Sequence, residues 1–166
     1  MEGKTETSIP DSRKSKRYDF EATPTRILTI EIARVLFKSV TVIHAISVNN
    51  LSSSGAVVLA ANHITNFDGF LMQFVIPRTI LIMGKAELYR NPILDIYVCQ
   101  LGTFPVKQGE RDVCAIDHAK RVLEQGKVLG IFAEGKRSKG RGLRAAKTGA
   151  GRLAIATQSP IVPVAI

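Results

Sequence analysis

Short apolar runs that alternate with helical segments constrain the fold of this 166-residue sequence more than any other feature. After residue 40, six runs rich in valine, isoleucine and leucine have strand-like lengths: TVIHAISV, AVVLAAN, RTILIMG, GTFPV, KVLGIFAE and PIVPVAI. Helices are predicted between them near residues 68–76, 91–100, 112–125 and 144–157, with Asp112 placed to cap the third. Strands that alternate with helices in this way predict an α/β fold, a mostly parallel sheet flanked by helices.

The first 40 residues follow a different pattern. Residues 1–22 are polar and contain a basic group, RKSKR, so we predict a flexible basic leader. Residues 23–40 predict an amphipathic N-terminal helix, with Glu31, Arg34 and Lys38 on one face. The opposite face is apolar and contains Ile27, Leu28, Ile32, Val35 and Leu36. Such a helix either covers a sheet or lies in a bilayer interface, and the pattern leaves both roles open.

Charge and cysteine content restrict the partners and the compartment. The formal charge of +9 implies an anionic partner, which is nucleic acid, phospholipid headgroups or a phosphorylated small molecule. The two cysteines have no paired spacing, so we expect a reducing compartment. The N-terminus lacks the apolar centre of a signal peptide, and no run has the roughly 18–20 apolar residues of a spanning helix. We therefore expect a cytoplasmic protein, soluble or peripherally bound to a membrane.

The run LAANHITNFDGF ends a predicted buried strand with ionisable residues. Histidine accepts and returns a proton near neutral pH, provided that a carboxylate orients its ring, and Asp68 follows His63 by five residues. No serine or cysteine adjoins His63 in a nucleophile pattern, so the attacking hydroxyl would belong to the substrate. Taken alone, the spacing is also that of a helix-capping aspartate beside a structural histidine. A third metal ligand is not evident, and we predict no metal site.

Two further strand ends carry charge. Glu134, Gly135, Lys136, Arg137 and Ser138 follow the run KVLGIFA, and cations beside a glycine suit a phosphate. The run LGTFPVKQGERD brings Lys107 and Arg111 into another loop. Ligands of parallel α/β sheets bind beyond the carboxyl ends of the strands, so these loops are predicted to share one site with the His63 loop.

These residues form four ordered blocks that resemble the 1-acylglycerol-3-phosphate acyltransferase family of lysophospholipid and glycerol-phosphate acyltransferases. The blocks are Asn62-His63 with Asp68, residues 102–106, residues 132–138 and residues 161–164. The resemblance extends over roughly residues 40–166. It implies a glycerol-phosphate-acyltransferase-like domain over residues 41–166. Family members usually continue past the fourth block, so the resemblance also implies a domain shortened at its C-terminal end.

The resemblance implies an enzyme that moves a fatty acyl group from acyl-CoA or acyl carrier protein to a lysophospholipid hydroxyl. The simplest case converts lysophosphatidic acid to phosphatidic acid, with His63 as general base and Asp68 as its orienting carboxylate. The acceptor would be bound by Asn62, Gly102, Phe104, Lys107, Arg111, Glu134, Gly135, Lys136, Arg137 and Ser138. No cofactor other than the donor substrate is implied, and no nucleic-acid partner. A peripheral position on the cytoplasmic side of the membrane follows from the lipid substrate, and it favours the bilayer role for the N-terminal helix.

Departures from the family pattern keep other acceptors open. Gln108 stands where the second block commonly has arginine, which admits glycerol 3-phosphate, another lysophospholipid or a non-phosphorylated lipid as acceptor. Lys136 and Ala133 replace the third block's usual threonine and proline. The alternative from a different functional class is a non-catalytic basic module that binds lipid or nucleic acid. No aromatic residue lies within the basic loop, so the loop lacks the side chains on which the bases of single strands stack. We assign His118 to a polar helix surface and His44 to an apolar strand.

Overall fold

The computed structural model describes residues 23–109, 112–138 and 142–166. The predicted basic leader, residues 1–22, lies outside the described residues. The helices are α1 (Pro24–Val40), α2 (Asp68–Val75), α3 (Pro92–Gln100), α4 (Val113–Glu124) and α5 (Gly149–Thr157). The strands are β1 (Val57–Ala61), β2 (Ile80–Lys85), β3 (Thr103–Val106), β4 (Val128–Phe132) and β5 (Ile161–Val164). Short 3₁₀ helices span Val48–Asn50 and Ala86–Arg90.

The five strands form one sheet in the order β3-β2-β4-β1-β5, and every neighbouring pair is parallel. This confirms the predicted α/β fold with a mostly parallel sheet flanked by helices. The central strands β1 and β4 are buried along most of their length. Their sequences, VVLAA and VLGIF, are continuous apolar runs because both faces of a parallel sheet are covered.

Helices cover both faces of the sheet. On one face, α4 and α5 pack their apolar side chains against Val58, Leu81 and Leu129. On the other face, Met72 of α2 packs with Val57, Leu59 and other strand residues. Burial of these side chains supplies the main stabilisation, about 1.5–3 kcal/mol for each large apolar residue. The carboxyl ends of β1 and β4 therefore project from a rigid, close-packed support.

The strand predicted over TVIHAISV is wrong. Residues 41–46 are irregular, and Val42 and Ile46 are 82% and 87% exposed. A β-branched run forms a strand only where a neighbouring strand completes its backbone hydrogen bonds, and residues 41–46 pair with no strand of the described sheet. His44 consequently lies in an exposed irregular segment.

Two details of the helix predictions are also wrong. The last helix begins at Gly149 instead of residue 144. The N–H of Lys147 donates to the carbonyl of Ala133 at 2.8 Å. This hydrogen bond holds the segment before α5 against the end of β4, so that segment is not helical. His118 does not lie on a polar surface: it is 7% exposed, and its ring lies 4.6 Å from the Phe104 ring.

The predicted N-terminal amphipathic helix is observed as α1, with its apolar face uncovered. Its buried residues are Arg26 and Ile30. Arg34, on the charged face, donates to the carbonyl of Gln73 at 3.5 Å and pairs with Glu31 at 2.7 Å. The apolar side chains are 51% to 66% exposed: Ile27, Leu28, Ile32, Val35 and Leu36. Within the described part of the chain, no helix combines the length and apolar character needed to cross a bilayer.

Candidate active site

The end of β1 brings His63 and Asp68 into contact. The chain leaves the sheet after Ala61, turns through residues 62–67 and starts α2 at Asp68. Nδ1 of His63 lies 2.7 Å from Oδ2 of Asp68. The histidine is partly exposed, whereas the carboxylate is fully buried. The two predicted catalytic side chains therefore form a hydrogen-bonded pair at the carboxyl end of a central strand.

Asp68 accepts three further hydrogen bonds from the same turn. The N–H groups of Ile64 and Thr65 donate to Oδ2 at 2.6 and 2.9 Å, and the hydroxyl of Thr65 donates to Oδ1 at 2.5 Å. Burial by itself raises the pKa of Asp68, but the hydrogen bonds from Thr65, His63 and Ile64 outweigh it, so the pKa is lowered. Asp68 is therefore ionised near neutral pH and accepts the Nδ1 proton of His63. This leaves Nε2 of His63 as a proton acceptor.

The end of β4 encloses His63 from the other side. The ring of Phe132 stacks on the imidazole with a centroid separation of 3.9 Å and an interplanar angle of 16°. The carboxylate of Glu134 accepts a long hydrogen bond, 3.4 Å, from the N–H of His63. The N–H of Ser138 donates to the carbonyl of His63 at 2.7 Å. The ring of His63 thus contacts the last residue of β4, and its backbone contacts the loop that follows β4.

A cavity of about 1340 Å³ opens beside His63. Part of its wall is cationic and contains Lys85, Lys107, Lys136, Arg137, Arg144 and Lys147. Another part is apolar and contains Phe70, Ile82, Met83, Leu88, Val98 and Leu101. The cavity therefore offers cations to an anionic group and apolar surface to a hydrocarbon chain. Among the described residues, no group of three or more His, Cys, Asp or Glu side chains is arranged to hold a metal ion.

The structure places half of the predicted acceptor residues in this cavity. Lys107, Gly135, Lys136, Arg137 and Ser138 line the same cavity as His63. Gln108, the departure from the family's second block, lines it as well. Arg111 lies outside the described residues.

The four other predicted acceptor residues that the structure describes do not line the cavity. The side chain of Asn62 pairs with the backbone of Ile166, accepting at 2.7 Å and donating at 3.0 Å. Phe104 and Glu134 are buried, Glu134 to 5% exposure. At Gly102, φ is +80°, and an added Cβ would lie 2.5 Å from Arg26 Nη2 and 2.7 Å from the Ile80 carbonyl. Glycine is therefore required there by backbone conformation and close packing.

Several cavity residues were absent from the sequence-based site, among them Arg144, Lys147 and Phe132. Arg144 and Lys147 belong to the run of basic residues after Glu134, and this run was the signal that could have identified them. Lys147 lies over the backbone of Gly135, where an added Cβ would approach its Nζ to 2.9 Å. Phe132 immediately precedes the Ala133-Glu134 pair, but nothing in the sequence indicates that its ring would meet His63.

The fold and the site agree with the family that comparison with known proteins identifies. The family model described as acyltransferase matches residues 42–166, or 125 of the 166 residues. The chain belongs to the acyltransferase family, which confirms the resemblance found in the sequence.

Individual relatives are 1-acyl-sn-glycerol-3-phosphate acyltransferases. The chain is 29% identical over 119 residues to the enzyme of Borreliella burgdorferi, covering 70% of this chain and 48% of that protein. It is 32% identical over 125 residues to the enzyme of Haemophilus influenzae, covering 73% and 51%. The chain thus spans about half the length of the curated relatives it matches.

A solved structure shares the fold. The crystal structure of the 1-acyl-sn-glycerophosphate acyltransferase of Thermotoga maritima superposes with a TM-score of 0.66 at 22% sequence identity. The match covers 94% of this chain and 61% of that chain. At 22% sequence identity, this match shows that the two proteins share a fold.

Proposed function

We propose that this chain transfers a fatty acyl group from an acyl thioester to the free hydroxyl of a lysophospholipid. The most suitable acceptor is lysophosphatidic acid, which becomes phosphatidic acid. One observation carries the proposal: the hydrogen-bonded His63–Asp68 pair lies on a cavity whose walls are partly cationic and partly apolar. The names of the relatives support the same substrate class.

The chemistry follows from Nε2 of His63, which has no hydrogen-bond partner among the described residues. This nitrogen removes the proton of the acceptor hydroxyl while the oxygen forms a bond to the thioester carbonyl carbon. The tetrahedral intermediate collapses by breaking the carbon–sulfur bond, and the electron pair leaves with sulfur. The imidazolium returns its proton to the thiolate, which yields an ester and a free thiol. Asp68 stabilises the imidazolium electrostatically and keeps the ring in the correct tautomer.

The cationic wall supplies the site for the acceptor's phosphate. Arg137 and Lys136 extend from the loop after β4, and Lys107 extends from the end of β3. Arginine binds phosphate through paired N–H donors, whereas lysine contributes a point charge. A phosphate held here fixes the distance from the acceptor hydroxyl to His63. Such positioning contributes much of the rate enhancement when two substrates react without a covalent enzyme intermediate.

The exposed apolar face of α1 supports a peripheral membrane location. In a water-soluble domain, an amphipathic helix turns its apolar face inward, whereas Leu28, Ile32, Val35 and Leu36 of α1 face outward. A helix with this arrangement lies in the bilayer interface with its apolar side chains among the lipid tails. The acceptor is itself a bilayer component, so this location gives it direct access to the cavity.

A transfer assay tests the proposal. Purified protein is incubated with a panel of lysolipids and glycerol 3-phosphate, with labelled acyl-CoA or acyl carrier protein as donor. We expect lysophosphatidic acid to be acylated, and we expect His63→Ala and Asp68→Asn each to lower kcat by about 10²–10⁴-fold. His44→Ala is the matched control and retains full activity, because His44 lies in the exposed segment before β1.

The acceptor panel discriminates among the alternatives. Arg137→Met is expected to raise KM for lysophosphatidic acid about tenfold and to leave KM for monoacylglycerol unchanged, because only the former carries a phosphate. Preferred acylation of another acceptor would replace the proposed one, and Gln108 would be the first position to examine. Full activity of His63→Ala would contradict the assignment of the base. Lipid binding without transfer to any acceptor would favour a non-catalytic module.

A further inference from the structure

We propose that Phe132 is a positioning residue that fixes the orientation of the His63 imidazole. The proposal rests on the proposed function of His63 as the general base. Its evidence is the stack between the two rings, with centroids 3.9 Å apart and planes inclined by 16°. Both residues also line the cavity, so the stack lies at the place where the acceptor hydroxyl must meet Nε2.

The hydrogen bond to Asp68 does not by itself determine where Nε2 points. That bond holds one edge of the imidazole, at Nδ1, and the ring plane can still tilt about it. A flat aromatic ring against one face of the imidazole restricts this tilt. The two contacts together fix both the position of one ring edge and the plane of the ring. Proton abstraction is sensitive to such alignment, and a displacement of about 1 Å can cost roughly 100-fold in rate.

The register of the sheet produces the stack. Phe132 is the last residue of β4 and is paired with Ala61, the last residue of β1. The N–H of Ala133 donates to the carbonyl of Ala61 at 3.0 Å, which extends this pairing beyond the strands. The Ser138 N–H then binds the His63 carbonyl at 2.7 Å. Phe132 therefore belongs to a segment that already holds the backbone of His63, and its ring adds the constraint on the side chain.

A positioning role and a substrate-binding role predict different kinetics. If Phe132 acts through His63, then its loss lowers kcat and leaves both KM values nearly unchanged. If its ring instead contacts the acceptor or donor in the cavity, its loss raises a KM. The comparison that separates these roles is Phe132→Leu, which removes the flat ring, against Phe132→Tyr, which keeps it.

We expect Phe132→Leu to lower kcat by about 10- to 100-fold with each KM changed less than about twofold. Phe132→Tyr is expected to retain kcat within about threefold because the stack is preserved. Proton NMR gives a second readout that needs no turnover. The ring protons of His63 should be shifted upfield by the Phe132 ring current in the unmodified protein and in Phe132→Tyr, and this shift should disappear in Phe132→Leu.

Several results would overturn the proposal. They are an unchanged kcat in Phe132→Leu, an effect confined to KM, or the absence of a ring-current shift in the unmodified protein. If Phe132→Leu does not fold, Phe132→Met replaces it, because methionine keeps apolar volume without a ring. Its kcat, its KM values and the His63 ring-proton shifts are then judged by the same criteria. Failure of this proposal differs from failure of the proposed function. A full rate in Phe132→Leu beside an inactive His63→Ala removes only the positioning role, whereas an active His63→Ala removes the base itself.

Discussion

Helices α1 and α4 share an amphipathic pattern but place their apolar faces in opposite environments. Each begins with a side-chain cap: Thr23 accepts from the N–H of Arg26 at 3.3 Å, and Asp112 accepts from the N–H of Ala115 at 3.2 Å. Helix α4 buries its apolar stripe, which consists of Ala115, Ala119, Val122 and Leu123, against the sheet. Helix α1 leaves its apolar stripe exposed and turns Arg26 and Ile30 toward the domain.

The difference shows what an amphipathic pattern determines. The pattern specifies that a helix has one apolar face, but it does not specify whether the protein core or another surface covers that face. Helix α4 connects two strands of the same sheet, β3 and β4, so its apolar face necessarily meets the sheet. Helix α1 precedes the first strand, and no such connection fixes its orientation. Our proposal is that a lipid bilayer covers its apolar face, and three measurements test this difference between α1 and α4.

Matched acidic substitutions should have the largest difference in effect on folding. Val122→Asp places a carboxylate in the fully buried stripe of α4, and we expect it to lower the free energy of unfolding by about 4 kcal/mol or more. Val35→Asp makes the same change on α1, where the side chain is exposed, and should alter stability by less than about 0.5 kcal/mol. Denaturant unfolding of both variants provides the measurement. Equal destabilisation would mean that the α1 face is covered within the protein.

The buried His118 of α4 should make stability dependent on pH. Burial, and secondarily the charge of Arg121, lowers the pKa of His118 from 6.5 to about 4. The unfolded chain therefore binds this proton first as the pH falls. The free energy of unfolding should decrease from pH 6.5 toward pH 4, by about 3 kcal/mol in total, and should level off below that.

The control for this effect is His118→Gln, which cannot titrate. Its unfolding free energy should lack the decrease between pH 6.5 and 4 when both proteins are measured by denaturant unfolding. The carboxylate of Asp68 contributes little in this range, because its pKa is lowered from 3.8: its stabilisation is present above that value and is lost as the pH falls from there through the lower folded-state pKa. An identical pH dependence in the variant would contradict the assignment to His118.

Membrane binding should show the smallest but most specific effect. We expect Val35→Asp to weaken partitioning onto vesicles of phosphatidylglycerol and phosphatidylcholine by about tenfold, because one apolar side chain no longer enters the lipid phase. Ile155→Asp, on the exposed surface of α5, makes the same change in charge at a side chain of similar exposure and should leave binding unchanged. Sedimentation with vesicles measures both. Equal weakening would indicate a general electrostatic effect.

The sheet could be predicted because its central strands are long apolar runs bounded by turns. The run TVIHAISV has the same β-branched, apolar character as β1 and β4, but residues 41–46 pair with no strand of the described sheet. The orientation of α1 could not be predicted for the related reason that it depends on a surface outside the helix. Local pattern indicates candidate elements, but whether a run becomes a strand depends on pairing that the whole chain sets.

The His63–Asp68 contact could be predicted because five residues across a strand–helix turn leave little freedom in their separation. The roles of Asn62 and Glu134 depend on side-chain direction within loops, which composition does not encode. The structure turns Asn62 toward the backbone of Ile166 and buries Glu134 beneath the loop that it begins. The Phe132 stack depends on register between strands far apart in sequence, so no local pattern could have indicated it.

The pairing of β1 with β4 has a consequence for the order of events during folding. His63 and Glu134 are 71 positions apart in the chain, and the contacts around the imidazole form only when these distant strands are in register. Closing such a long loop is slow compared with forming the turn that joins His63 to Asp68. A chain that is still being synthesised therefore carries the pair long before β4 exists to enclose it. Enclosure of the imidazole therefore depends on the assembled sheet, whereas its hydrogen bond to Asp68 spans only the local turn.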